Sequence, residues 1–124
     1  MDDTVQNWLD AYLRAWASNE RADIEALFTE DARYAGSPLD PEPWVGRQGI
    51  VDGWLAHRDE PGTWSFEGAP LIHSDGIGVV QGITRYDDGR TYANLWVITF
   101  ADDRRARDFV EWYMEPTPVR EDQA

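Results

Sequence analysis

The hydrophobic pattern of the chain changes its period near residue 60, and this change limits the folds open to it. In the first half, apolar side chains recur every three to four residues, as on one face of an α-helix. In the second half they alternate with other side chains, as in a strand with one buried face. The segment order is α-α-β-α followed by four strands, which predicts an α+β fold.

Three segments of the first half have helical spacing. The predicted helices cover residues 4–17, 20–29 and 47–58. The segment between the second and third helices contains a predicted short strand, residues 32–35. It continues into a loop, residues 36–46, which is rich in proline and glycine and carries Trp44.

The second half of the chain predicts four strands joined by short turns. They cover residues 63–73, 77–86, 91–100 and 105–114. Strands in this order form an antiparallel meander, and one face of that sheet is the only apolar surface that the helices can cover. We therefore expect a curved antiparallel sheet around three helices, with a cavity at its mouth. Residues 117–124 are expected to form a loose C-terminal tail.

The composition excludes several kinds of site. The chain has neither cysteine nor lysine, which excludes disulfides, thiol nucleophiles and Schiff-base chemistry. His57 and His73 are the only imidazoles, so a histidine-rich metal site is excluded. The acidic turns lack the ligand spacing of a calcium loop. We expect no metal and no cofactor.

The formal net charge of −13 argues against two classes of partner, because it repels phosphate backbones and anionic membrane surfaces. No apolar run approaches the ~18 residues needed to span a bilayer. The first residues, Met1-Asp2-Asp3, lack the basic and apolar regions of a secretory signal. We expect a cytoplasmic protein with no nucleic-acid or membrane partner.

Three strings of residues resemble the nuclear transport factor 2-like superfamily, which includes SnoaL-like polyketide cyclases, ketosteroid isomerases and limonene epoxide hydrolase. These strings are Asp23-Ile24-Glu25-Ala26-Leu27-Phe28 with Glu30-Asp31-Ala32, Gly46-Arg47-Gln48 with Ile50, and Phe109 to Met114. The resemblance covers about residues 5–116 and is strongest to small bacterial SnoaL-like proteins. It implies a single SnoaL-like domain over residues 1–116 with a cone-shaped, cystatin-like half-barrel.

The resemblance also implies which side chains face the cavity. SnoaL-like cyclases place an acid on the last strand, where this chain has Glu111. Tyr12 matches the oxyanion-donating tyrosine of ketosteroid isomerases. Their other two groups fall on Trp96 and near Gly36-Ser37, so steroid isomerisation is not expected. The inward positions implied on the last two strands also alternate with period two, and they are Tyr92, Asn94, Trp96, Ile98, Phe109, Glu111 and Tyr113.

A candidate site follows from these positions. Glu111 would move a proton, because burial among aromatic rings raises the pKa of a carboxyl. Asn94, Tyr12 and Tyr34 would orient or polarise an oxygen of the substrate. The walls of the site would be Trp16, Trp44, Trp54, Trp96, Phe109 and Tyr113. The alternative for Glu111 is an ion pair with an arginine at the rim.

The sequence leaves two functional hypotheses open. The first is a cofactor-independent isomerase or cyclase that acts by general acid–base catalysis on a small apolar cyclic metabolite. The second is a non-catalytic module that binds a small molecule or dimerises. Val110, Trp112 and Met114 are expected on the outer face of the sheet, where an apolar stripe suggests a homodimer interface.

Overall fold

A computed structural model describes residues 3–115, and within them three helices and six strands are formed. The predicted tail, residues 117–124, lies outside the described residues. The helices are α1 (Thr4–Ser18), α2 (Arg21–Glu25) and α3 (Arg47–Ala56). The strands are β1 (Phe28–Ala35), β2 (Trp44–Val45), β3 (Trp64–Ser74), β4 (Ile77–Tyr86), β5 (Thr91–Phe100) and β6 (Ala106–Met114).

The strands form one open sheet in the order β2-β1-β6-β5-β4-β3. The four strands of the second half make the predicted antiparallel meander, since β3 pairs with β4, β4 with β5 and β5 with β6. The α+β class is confirmed. The sheet is mixed rather than antiparallel throughout, because β1 lies parallel to β6. Strand β1 is not part of the meander and lies in the sheet between β2 and β6.

The second helix is shorter than predicted, and β1 is correspondingly longer. Helix α2 ends at Glu25, and Phe28 already belongs to β1. The carbonyl of Leu27 accepts hydrogen bonds from the backbone N–H of Ala106 at 2.8 Å and from the indole N–H of Trp8 at 3.0 Å. The first bond holds Leu27 to β6 and the second holds it to α1, at a point where helical spacing alone would continue the helix. Trp44, predicted in a loop, pairs with Tyr34 as part of β2.

Helix α1 supplies much of the core that the sheet curves around. Its buried face includes Val5, Trp8, Leu9 and Tyr12. The ring of Trp8 lies 5.7 Å from that of Phe109 and 6.3 Å from that of Phe100, between centroids. Burying aromatic rings of this size is the main apolar contribution that a small domain has available. Among residues 3–115, no helix has the length and apolar character needed to cross a membrane.

Two glycines within β4 make room for side chains that pack on the strand. A Cβ at Gly82 would lie 2.3 Å from Cζ of Phe66, and one at Gly78 would lie 2.7 Å from Cγ2 of Val5. The pairing of β4 with β5 has no register shift at either glycine. These glycines therefore serve close packing, whereas the register shift in the pairing of β3 with β4 lies between Pro70 and Ile72.

We expect Gly82→Ala to lower the free energy of unfolding by about 1–3 kcal/mol, because the new methyl group overlaps the Phe66 ring. Gly49→Ala is the matched control. Gly49 lies in α3, and a Cβ added there would meet no atom within 4 Å, so the same substitution should raise stability by about 0.5–1 kcal/mol. Urea denaturation of both variants gives the comparison. Equal effects of the two substitutions would contradict the role assigned to Gly82.

Candidate functional site

A cavity of about 440 Å³ lies between the helices and the inner face of the sheet. Its lining combines aromatic rings with carboxyl groups and two arginines. Residues of α1, α3, β1, β2, β4, β5 and β6 line it, together with the loops that follow β1, α3 and β4. The lining residues are Tyr12, Trp16, Tyr34, Gly36, Asp40, Glu42, Trp44, Trp54, His57, Arg58, Asp59, Thr84, Tyr86, Arg90, Tyr92, Asn94, Glu111 and Tyr113.

Glu111 is held in the cavity wall by a chain of hydrogen bonds across three strands. The hydroxyl of Thr84 donates to Oδ1 of Asn94 at 2.7 Å, which turns the amide N–H group of Asn94 toward Glu111. Asn94 Nδ2 donates to Glu111 Oε2 at 3.4 Å, and Trp96 Nε1 donates to the same oxygen at 3.1 Å. Among the described residues, none forms a hydrogen bond with Oε1. This leaves one carboxyl oxygen for a bound molecule.

Burial raises the pKa of the Glu111 carboxyl above its ordinary value. The hydrogen bonds from Trp96 and Asn94 oppose this change by stabilising the ionised form, and the charge of Asp59 adds to it. Within residues 3–115, no arginine forms an ion pair with Glu111. The predicted alternative, an ion pair between Glu111 and an arginine at the rim, is therefore not formed within residues 3–115.

Tyr12 and Tyr34 form a hydrogen-bonded pair beside Glu111, with 2.9 Å between their hydroxyl oxygens. Tyr12 is only 6% exposed, whereas Tyr34 is partly exposed on β1. Burial raises the pKa of both phenols, and the nearby charge of Glu111 raises them further. Both hydroxyls thus remain protonated at neutral pH and are able to donate hydrogen bonds.

Asp59 is a second carboxylate of the cavity, and sequence reasoning missed it. Its Oδ2 accepts a hydrogen bond from Trp16 Nε1 and another from the hydroxyl of Tyr86, each at 3.0 Å. Asn19 Nδ2 also donates to the backbone carbonyl of Asp59 at 3.1 Å. These donors are far apart in the sequence, so no local motif reveals the group. The only available signal is that Tyr86 falls on the inward-facing set of β4 with Thr84.

Aromatic rings form the wall opposite the last strands. The rings of Tyr34 and Trp44 lie 4.9 Å apart, and those of Tyr12 and Trp54 lie 5.0 Å apart, between centroids. Trp44 packs directly on Gly53 of α3, where any Cβ would lie within 2.3 Å of its ring.

The structure brings most of the predicted site residues to the cavity lining. These are Tyr12, Trp16, Tyr34, Trp44, Trp54, Asn94, Glu111 and Tyr113. Trp96 and Phe109 are predicted as walls, but both are fully buried beneath the lining. Trp96 reaches the site only through its indole N–H, and Phe109 packs on Tyr34 with 4.6 Å between ring centroids.

The two histidines have different surroundings. His57 is exposed at the cavity rim, with Nδ1 3.0 Å from the carbonyl oxygen of Gly53, in agreement with its predicted place at a helix end. His73 belongs to β3, where its ring contacts that of Phe100 edge-on. In the described part of the chain, no three imidazole or carboxyl groups are arranged to hold a metal ion.

Comparison with known protein families identifies the domain. A profile of the SnoaL-like domain matches residues 9–118, nearly the whole chain. The chain belongs to the SnoaL-like domain family. A search of curated protein sequences finds no significant match.

Several solved structures share this fold at low sequence identity. A nuclear transport factor 2-like protein of unknown function from Burkholderia xenovorans LB400 has a TM-score of 0.76 and 16% identity, over 96% of this chain and 89% of that one. A proposed isomerase of the SnoaL-like family from Agrobacterium tumefaciens C58 has a TM-score of 0.72 and 19% identity, over 91% and 99%.

A third structure, from Methylobium petroleophilum PM1, is described as a protein of unknown function with a cystatin-like fold. It has a TM-score of 0.73 and 13% identity, over 95% of this chain and 80% of that one. At these identities the likeness shows the fold alone. The predicted superfamily and the cystatin-like architecture of the SnoaL-like domain are both confirmed.

The raised pKa of Glu111 predicts how stability changes with pH. The folded protein binds the Glu111 proton more tightly than the unfolded chain does. This proton therefore stabilises the folded wild-type protein at low pH, and the stabilisation is lost as pH rises through the pKa of Glu111 in the folded state. Glu111→Gln has no proton to lose, so we expect it to gain stability over wild type across that range. The gain is about 1.4 kcal/mol for each unit of pKa change.

Urea unfolding of both proteins from acidic to neutral pH measures this difference. Tyr12, Tyr34 and Tyr86 stay protonated over the range, because the pKa of each is raised, while Asp59 is present in both proteins. Glu67→Gln is the control, since Glu67 is an exposed carboxyl on β3 paired with Arg85. A stability difference for Glu111→Gln that does not grow with pH would show that Glu111 is not buried as described.

Proposed function

We propose that this SnoaL-like protein is a cofactor-independent enzyme of the isomerase or cyclase type, which moves a proton on a small cyclic molecule carrying a carbonyl group. The observation that carries this proposal is the Glu111 carboxyl, which lines the cavity with a raised pKa and one oxygen without a hydrogen bond from the described residues. A carboxylate of raised pKa is a stronger base than an ordinary one. Asn94 and Trp96 keep it in place.

The neighbouring tyrosines supply the second group that such a reaction needs. In the arrangement that their exposures favour, the deeper Tyr12 donates to Tyr34, and the proton of Tyr34 points to the ligand. A carbonyl oxygen placed there would be polarised toward an enolate. The aromatic wall accommodates a ring, and 440 Å³ is within the range for small-molecule sites.

The proposed step is a proton abstraction beside the carbonyl group. Glu111 Oε1 takes a proton from the adjacent carbon, and the C–H electrons form the enolate double bond while Tyr34 donates a hydrogen bond to the oxygen. Apart from simple return of the proton to the same carbon, the enolate either takes the proton back from Glu111 at another carbon of a conjugated system, or its carbon attacks a second carbonyl carbon of the same molecule. In the latter case the π electrons of that second carbonyl move to its oxygen, which takes the proton from Glu111. The first outcome is an isomerisation and the second is a cyclisation.

Hydrogen–deuterium exchange tests this step without knowledge of the natural substrate. Cyclic ketones such as 2-tetralone and 1-indanone are incubated with the protein in D₂O, and loss of their α-protons is followed by NMR. We expect exchange above the buffer rate, which Glu111→Gln reduces by about 10²–10⁴-fold. Glu67→Gln, which changes a carboxyl outside the cavity, should leave the rate unchanged. Full exchange by Glu111→Gln, or no exchange by wild type, contradicts the proposed chemistry.

We also propose that the protein forms a homodimer through the outer face of its sheet. Val79, Val97 and Val110 are aligned across β4, β5 and β6 on this face. Trp112, opposite Leu95, is 44% exposed, and Met114, opposite Ala93, is 60% exposed. An apolar stripe of this kind is unfavourable in water and supports self-association.

Sedimentation equilibrium at micromolar concentration tests the dimer. We expect Trp112→Arg to weaken dimerisation by at least about 30-fold, because large aromatic side chains dominate such interfaces and a charge there is desolvated. Leu39→Ser is the control, since it removes a 99% exposed apolar side chain in the loop between β1 and β2, away from the stripe. Wild-type protein that sediments as a monomer would refute the interface.

A further inference from the structure

The charged groups of the cavity are predominantly acidic. Four carboxyl groups line it, and they belong to Asp40, Glu42, Asp59 and Glu111. The two arginines of the lining are Arg58, which is exposed, and Arg90. Arg90 is already engaged, because its Nε lies 2.7 Å from Asp88 and its guanidinium covers the Tyr86 ring at 4.4 Å. The lining therefore carries an excess of negative charge, in a protein whose net charge is −13.

Asp59 is the carboxylate most suited to a positively charged ligand. It is partly buried, and its side-chain hydrogen bonds come from neutral donors, the indole of Trp16 and the hydroxyl of Tyr86. Both act on Oδ2, and within residues 3–115 no hydrogen bond or ion pair involves Oδ1. Neither donor carries a positive charge that would neutralise this carboxylate. The charge of Asp59 acts on the cavity, since it raises the pKa of Glu111.

The aromatic walls favour the same kind of ligand. Ring faces attract cations through their quadrupole, and desolvated cases contribute most. Eight aromatic side chains line the cavity, and they belong to Tyr12, Trp16, Tyr34, Trp44, Trp54, Tyr86, Tyr92 and Tyr113. Arg90 over Tyr86 already shows such a contact at the rim. A lining of carboxylates and aromatic side chains favours a positive charge over an anion.

We propose that the ligand of this cavity is an organic cation, an amine or quaternary ammonium compound with an apolar ring, whose charged nitrogen lies against Asp59. The proposal rests on the proposed function in that it concerns the same cavity, and it names the class of substrate. The cation is attracted by the acidic wall, and its ring is held by the aromatic side chains. Its carbonyl or hydroxyl oxygen lies toward Tyr34 and Glu111.

Three phenols that differ only in the charge of one tetrahedral group test this inference by isothermal titration calorimetry. They are 4-(trimethylammonio)phenol, its neutral isostere 4-tert-butylphenol, and the anion 4-hydroxybenzenesulfonate. We expect the cation to bind at least about tenfold more tightly than the neutral compound, with affinity that falls as salt is added. The sulfonate should bind more weakly than either.

Two variants assign the preference to a single carboxylate. Asp59→Asn keeps an oxygen for Trp16 and Tyr86, so it should reduce the cation preference to about threefold or less and leave affinity for 4-tert-butylphenol unchanged. Asp52→Asn is the matched control, because it removes an exposed carboxylate of α3 that pairs with Arg21 outside the cavity. This control should retain the wild-type preference.

The outcomes separate this inference from the proposed function. Equal or tighter binding of the neutral phenol, or an unchanged preference in Asp59→Asn, overturns the cation proposal while the cavity remains a candidate catalytic site. Absence of binding by all three phenols contradicts both. An Asp59-dependent preference together with full deuterium exchange by Glu111→Gln supports the cation site and overturns the assignment of the base.

Discussion

The packing of Tyr12 connects the hydrophobic core to the cavity, and much of the site depends on it. Its ring lies 4.6 Å from Trp96 and 5.7 Å from Phe109, between centroids, so the helix is fixed against β5 and β6. Its hydroxyl lies 2.9 Å from that of Tyr34. Apolar burial of one side chain therefore sets both the distance from helix to sheet and the place where a phenol proton can be donated.

Much of the fold follows from local pattern, because periodicity and burial act over short stretches of chain. The period of Val5, Trp8 and Tyr12 predicts α1, and the alternation of Asn94, Trp96 and Ile98 predicts the inward face of β5. The length of α2 and the parallel pairing of β1 with β6 cannot be predicted from local pattern. Both depend on Leu27 accepting hydrogen bonds from Trp8 and Ala106, which are distant in the sequence.

The residues of the candidate site likewise differ in how far the sequence predicts them. Asn94 is accessible to prediction, because a polar residue among the inward positions of a strand is conspicuous, and Glu111 is accessible because it lies where the family resemblance implies an acid on the last strand. Asp59 is not, since it follows α3 in a segment that has the pattern of a polar helix end. It becomes part of the cavity only because Trp16 and Tyr86, from α1 and β4, converge on its Oδ2. Charge balance within a cavity is likewise a property of the assembled fold rather than of any local string.

The proposed ligand links the roles of the two carboxylates, Glu111 and Asp59. A carboxyl that is buried beside another negative charge resists ionisation, so Glu111 without a ligand is a reluctant base. A cation against Asp59 would offset this repulsion, although burial, the largest cause of the raised pKa of Glu111, would remain. The ligand would thus help to create the base that acts on it, and binding at Asp59 would be coupled to loss of the Glu111 proton. A neutral ring of the same shape would occupy the cavity without this effect. The positive charge of the ligand would then increase both its affinity for the cavity and its reactivity with Glu111.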